Sequence, residues 1–270
     1  MIRSFPLICI FLSTVFRIQA QESPYKTSLK TDGIAIGAGI GLSYLGLTLI
    51  KNKEGLSPEE AQALAGNKSR VNGFDRFSAG YYSKRADRDS YYPFYASFAM
   101  PVVVTLFNKA ERQKAGQVLS LFVETMAVTG TLYTLTAGNV NRTRPYVYGN
   151  KISMDEKTKN GARRSFFAGH TAATAAATFF AAKVYQDFNP SATLKPYIWT
   201  AAAAIPATVG YLRLRAGMHF LSDNIIGYAI GAASGIMVPQ FHKTNKNNHL
   251  SLSPVITPNG QQLMVTYTFH

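Results

Sequence analysis

Two stretches of this chain place histidines where they could attack or protonate a substrate. In "RLRAGMHFLSD", Arg213 precedes His219 by six residues, and Asp223 follows it by four. A four-residue separation sets His219 and Asp223 on one face of a helix, close enough to pair. A carboxylate on one imidazole nitrogen fixes the tautomer and leaves the other nitrogen free for nucleophilic or base chemistry. The same pair also occurs as a satisfied polar cluster in a helical core. In "RRSFFAGHTAATAAATFFAAKVY", Gly169 and His170 precede a long apolar run. They stand at the N-terminus of a helix, where free backbone N–H groups and the helix dipole favour an anion. Gly169 permits close backbone approach. An ordinary helix cap with Thr171 contributing is the plainer reading of "AGHT".

A third piece is "NVNRTRPYVYGN", in which Arg144 follows a long apolar helix and Pro145 discourages its continuation. Taken alone, such an arginine is commonly a surface helix end. Arg142 stands two residues earlier and would face away from Arg144 if the helix persisted. His242, His249 and His270 lie in a polar tail and read as solvated.

The three pieces in order resemble the type 2 phosphatidic acid phosphatase and vanadium haloperoxidase superfamily. That pattern is a lysine seven residues before Arg-Pro, then Pro-Ser-Gly-His, then Ser-Arg with a histidine six residues on and an aspartate four beyond. Arg144-Pro145, Gly169-His170, and Arg213, His219 and Asp223 match it, over about residues 121–235. Ala137 stands where the lysine belongs, Phe167 and Ala168 replace the proline and serine, and Leu212 replaces the second serine.

The resemblance implies a metal-independent phosphatase without a cofactor. His219 would be the nucleophile, Asp223 would hold its other nitrogen, and His170 would protonate the leaving oxygen. Arg144, Arg213 and the Gly169 N–H would bind the phosphoryl oxygens, with Arg142 as a further donor if the chain leaves the helix first. Lys157, Lys159, Arg163 and Arg164 precede the second motif and could fold inward to replace the missing lysine.

The elements that must position these residues read as an all-α, membrane-embedded bundle of five or six apolar helices with a short C-terminal β-hairpin. Hydrophobic residues make up 47% of the 270-residue chain and charged residues only 16%, against roughly 25% charged in an average globular protein. Apolar segments run over 33–50, 93–107, 115–136, 166–184, 196–212 and 222–238, with Glu124 the conspicuous charge inside the third. Small residues in "AATAAATFFAA" and "IIGYAIGAASG" permit close helix approach. Residues 1–20 read as a secretory signal holding the single cysteine, Cys9. An N-terminal apolar segment and a polar, aromatic loop follow over 21–92, then a helical phosphatase domain over 93–240. In the 241–270 tail, Pro258-Asn259-Gly260 signals a hairpin.

The formal net charge of +14 favours anionic partners. No helix-turn-helix, zinc-finger spacing or basic-aromatic strand supports nucleic acid. The expected partners are a membrane and an anionic lipid phosphate, in a bacterial cell envelope with the site facing the periplasm. A soluble secreted acid phosphatase, a vanadate-dependent haloperoxidase and an inactive anionic-lipid-binding relative are the alternatives.

Overall fold

The computed structural model describes residues 22–244 and the backbone of 250–257 and 260–267. The expected signal peptide, Pro258, Asn259, His249 and His270 lie outside the described residues. Nine helices occur among them: α1 (Leu29–Lys51), α2 (Pro58–Leu64), α3 (Lys84–Phe107), α4 (Lys109–Arg112), α5 (Ala115–Asn139), α6 (Met154–Thr158), α7 (Gly169–Phe188), α8 (Lys195–Arg215) and α9 (Leu221–His242). Strands β1 (Leu250–Thr257) and β2 (Gly260–Tyr267) pair antiparallel, with Leu250 opposite Tyr267 and Thr257 opposite Gly260.

The six long helices form a bundle around α7, which is buried over most of its length. Parallel neighbours are set by small residues. Along α7 and α9, the carbonyls of Ala168, Ala172 and Ala176 meet Gly227, Gly231 and Gly235 in step; a Cβ on Gly231 would lie 2.0 Å from the Ala172 oxygen. This small-xxx-small packing brings the two backbones together. Along α1 and α5, Gly39 meets Ala127 and Gly46 meets Thr134, while Thr131 Oγ1 donates to the Gly39 carbonyl at 2.8 Å. Helix α8 runs back along α7, joined by Thr178 Oγ1 donating to the Ala202 carbonyl at 2.8 Å.

As a result α1, α5 and α8 end, and α3, α7 and α9 begin, at one end of the bundle. All the candidate residues gather there.

Three helices, α1, α5 and α9, are long and apolar enough to cross a membrane. That is fewer than the five or six apolar helices expected. Helix α3 opens on "KRADRD" and α8 is bounded by Lys195, Arg213 and Arg215, while α7 is covered by protein on its sides. Outward-facing Ile34, Ile40, Leu45 and Leu47 of α1 are more than half exposed, as a lipid-facing helix requires.

The polar, aromatic loop also departs from expectation. Ser83 Oγ accepts the Ala86 N–H and starts α3 at Lys84, nine residues before the apolar run. The preceding segment packs inward, burying Asp75 and Ser78.

Candidate active site

Helix α7 starts at Gly169 after Ala168, with no side chain capping its first turn. Its N-terminal N–H groups are therefore left for a ligand. Gly169 is required by packing, since a Cβ there would lie 2.5 Å from the Tyr133 ring of α5. The Ala168 N–H donates to the Asp223 carbonyl at 3.1 Å, tying the starts of α7 and α9 together. His170 stands against the rings of Phe94 and Tyr91, at centroid distances of 4.4 and 5.1 Å. Both rings belong to α3.

Arg213 lies in the last turn of α8. It is 3% exposed, pairs with Asp87 of α3, and lies 5.9 Å from the Tyr91 ring centroid. The chain then turns at Gly217, where φ is +74° and a Cβ would lie 1.8 Å from the Tyr81 carbonyl oxygen. Only glycine meets both demands. This turn delivers His219 into the interior, 2% exposed.

The expected His219–Asp223 pairing is not formed. His219 Nδ1 is 2.6 Å from the Ser165 carbonyl oxygen. A carbonyl only accepts, so Nδ1 carries the proton and Nε2 keeps its lone pair. Asp223 instead accepts from Ser165 Oγ at 2.6 Å, from the Phe220 N–H at 2.8 Å and from Arg142. The reason is that Asp223 sits in the first turn of α9, where it caps free N–H groups, whereas His219 precedes the helix. The four-residue spacing is thus not a helical i, i+4 pair. Asp223 positions His219 through Ser165, which gives its hydroxyl to the carboxylate and its carbonyl to the imidazole.

Arg142 is also placed differently. Helix α5 ends at Asn139, and the chain continues extended, with the Arg142 N–H donating to the Arg163 carbonyl at 3.1 Å and the Ser165 N–H to the Arg142 carbonyl at 2.9 Å. Its guanidinium bridges Asp75, at 2.6 Å, and Asp223, donates to Ser222 Oγ at 2.9 Å, and lies 4.8 Å from the Phe220 ring centroid. With two carboxylates already bound, Arg142 holds the loops together and offers no free donor fork to a phosphate.

Arg144 faces the other way, into a cleft of about 710 Å3 that Arg164, Lys159, Tyr82 and Met218 also line. Its Nε donates to the Arg164 carbonyl at 3.3 Å, and Nη1 approaches Met218 Sδ at 3.0 Å. No carboxylate pairs with Arg144 among the described residues. Among the described residues, the buried Nε–H groups of Arg163, Arg164 and Arg213 find no acceptor. Of these, Arg164 lines the cleft with Arg144, where its unused donor is free to meet an anion.

The positive field acts on both histidines. Burial first, then Arg144 and Arg213, hold His219 well below the ordinary imidazole range. The same three influences bring His170 down to about 3. Both rings are therefore neutral at pH 7, and His219 Nε2 is an available nucleophile.

Ala137 is fully buried. Lys53, from the segment after α1, caps that end of α5, donating to the Ala137 and Val140 carbonyls at 2.7 Å each. Of the other cations considered from sequence, Lys157 Nζ donates to the Gly149 carbonyl at 2.6 Å and Arg163 pairs with Glu60 at 2.6 Å. Lys159 pairs with Glu156 at the cleft rim.

The sequence reading did not single out Asp75, Asp87, Ser165 or Met218. The only local signal was an acidic residue recurring in a basic loop, and that does not say which arginine it meets.

The PAP2 superfamily model matches residues 118–247. No curated protein and no solved structure matches the chain. That matched stretch contains both site histidines with Arg144, Arg213 and Asp223, and over it the chain is similar to the PAP2 superfamily.

Proposed function

We propose that the protein is a lipid phosphate phosphatase of the bacterial cell envelope, acting through a phosphohistidine on a lipid-linked phosphate or diphosphate without a catalytic metal. The observation that carries this reading is the meeting of His219 and His170 with Arg144, Arg213 and the open first turn of α7 at one end of an apolar bundle. The three helices long and apolar enough to cross a membrane support a site at the interface, where a lipid headgroup would enter while its chains stay in the bilayer. The leader-like N-terminus supports a periplasmic site.

In this reaction His219 Nε2 attacks phosphorus, the P–N bond forms and the P–O bond to the leaving group breaks. The Ser165 carbonyl holds Nδ1–H and stabilises the charge that develops on the ring. Arg144, Arg213, the α7 N–H groups and Arg164, which takes the place of the absent motif lysine, stabilise the equatorial oxygens. A bound phosphate offsets the arginine field on His170 and raises its proton affinity, so substrate arrival arms the acid that protonates the leaving oxygen. Water, deprotonated by His170, then attacks phosphorus and breaks the P–N bond.

The test is phosphate release from a panel of lipid phosphates and diphosphates, for the wild type and His219→Ala, with and without chelator. Turnover resistant to chelator and absent from the variant is the expected result. Equal background release by both proteins would sink the phosphatase reading and favour an inactive lipid-binding relative.

A further inference from the structure

The end of the bundle remote from the candidate active site holds a second polar cluster. Each of the three candidate membrane helices contributes one residue: Asp32 from α1, Glu124 from α5 and His242 from α9. One ligand atom from each lies within 4.8 Å of the other two. We propose that these residues form a divalent-cation site of the zinc type, with its fourth position open to water.

Four observations carry the assignment. First, His242 Nε2 is 3.4 Å from Asp32 Oδ1 and 3.5 Å from Glu124 Oε2. Those distances are long for a charged N–H···O bond, which runs about 2.7–2.9 Å. Two donors each about 2.0–2.1 Å from a zinc ion at tetrahedral angles lie about 3.3–3.4 Å apart.

Second, His242 Nδ1 is 2.8 Å from the Val238 carbonyl oxygen. Nδ1 must donate there, so in a neutral ring the Nε2 lone pair points at two carboxylates. A metal-bound histidine shows the same arrangement, with its other N–H on a backbone carbonyl. Third, Asp32 Oδ2 accepts the Ser28 N–H at 2.8 Å, which orients the carboxylate and leaves Oδ1 for the cluster. Fourth, Glu124 is 9% exposed, and its Oε2 accepts no hydrogen bond among the described residues.

Two carboxylates and a neutral imidazole carry a charge of −2, which one divalent cation cancels. A protonated His242 cancels only half of it, and isolated charge is costly within an apolar span. A mixed set of imidazole and carboxylate donors suits zinc better than magnesium or calcium, which take all-oxygen shells. Asp223 and His242 are separated by about 28 Å along α9, at ~1.5 Å per residue. The cation is therefore a structural staple for α1, α5 and α9, distinct from the phosphate chemistry.

The experiment uses the full chain, purified in detergent without a histidine tag, stripped with chelator and titrated with Zn2+ by calorimetry. One site per chain is expected, with affinity reduced at least about 100-fold in His242→Ala and in the near-isosteric Glu124→Gln. Co2+ in the wild type should give the intense visible bands of a tetrahedral site, and His242→Ala should abolish them. Zn2+ should raise the thermal midpoint of the wild type and leave both variants unmoved. If the wild type takes up no stoichiometric Zn2+, or if Glu124→Gln binds it as tightly, the site does not exist and the cluster is a protonated histidine between two acids. Should His242→Ala fail to fold, Glu124→Gln and Asp32→Asn decide alone.

Discussion

Arg142 and Arg144 lie only two residues apart in sequence, yet they meet opposite surroundings in the structure. Arg142 bridges Asp75 and Asp223, which are 1% and 0% exposed, so Arg142→Ala strands two buried carboxylates beside each other. Breaking a buried ion pair from one side costs about 3–5 kcal/mol. The Arg142 side chain is itself 23% exposed, so water partly replaces it and the low end applies. A loss of about 3 kcal/mol lowers the folding equilibrium constant on the order of 10²-fold. Arg144 has no carboxylate partner among the described residues, and on the proposed mechanism Arg144→Ala should lower kcat by about 10²–10³ with little change in stability. Chemical unfolding in detergent, followed by helical circular dichroism, measures the first effect; phosphate release well below the melting temperature measures the second. Arg142→Lys should fall between wild type and alanine in stability, because one ammonium cannot serve two carboxylates as a fork does. An Arg142→Ala protein as stable as wild type but with a selectively raised KM would refute the division of labour. So would an Arg144→Ala protein that melts early yet turns over normally.

Two further outcomes follow from the site. Unfolded His170 takes a proton near its ordinary value of 6.5, whereas the folded ring waits until about 3; the unfolded state thus binds more protons in between, and stability falls as pH drops from 6.5 toward 3. His170→Asn should flatten that part of a melting-temperature-against-pH curve, and an unchanged slope would contradict the neutral, buried ring. Gly169→Ala forces a Cβ against Tyr133, costing about 1–3 kcal/mol by overpacking; Tyr133→Leu in the same chain should recover most of the lost melting temperature, and a failure to recover it would point to a need for glycine beyond space.

Much of the bundle is legible in sequence because its signals are local. Ser57, Pro58 and Glu60 announce α2, with Ser57 and Glu60 forming its capping box, and the small residues of α7 and α9 announce their own close approach. The order Arg144, Gly169-His170, Arg213, His219, Asp223 likewise survives as a cluster at the helix ends. What the sequence does not show are partners supplied from far along the chain. Asp75 reaches Arg142 and Ser222 across 67 and 147 positions, and Asp87 reaches Arg213 across 126. Neither acid differs locally from an ordinary surface aspartate. The His219–Asp223 pairing failed for a different reason. Spacing arithmetic assumes one continuous helix, whereas α9 begins between the two residues, so the aspartate turns to the helix N-terminus and the histidine to Ser165.

The absent motif lysine is best understood through the same geometry. Position 137 lies within α5, fully buried, so a lysine there would need a route through packed protein to reach the cleft. The chain leaves an alanine in that place and brings its cations from outside the helix. Lys53 neutralises the carbonyl end of α5, and Arg164, within the strand-like segment that pairs with Arg142, presents its guanidinium to the cleft that Arg144 lines. A cation that arrives on a loop can be replaced without repacking a helix. Arg164→Ala should therefore lower kcat by about 10²–10³ while the melting temperature stays near that of wild type. Ala137→Lys in that background should not restore turnover, because its ammonium starts from a buried face. Restored turnover in the double variant would show that position 137 does open onto the cleft and that the two residues are alternatives for one role.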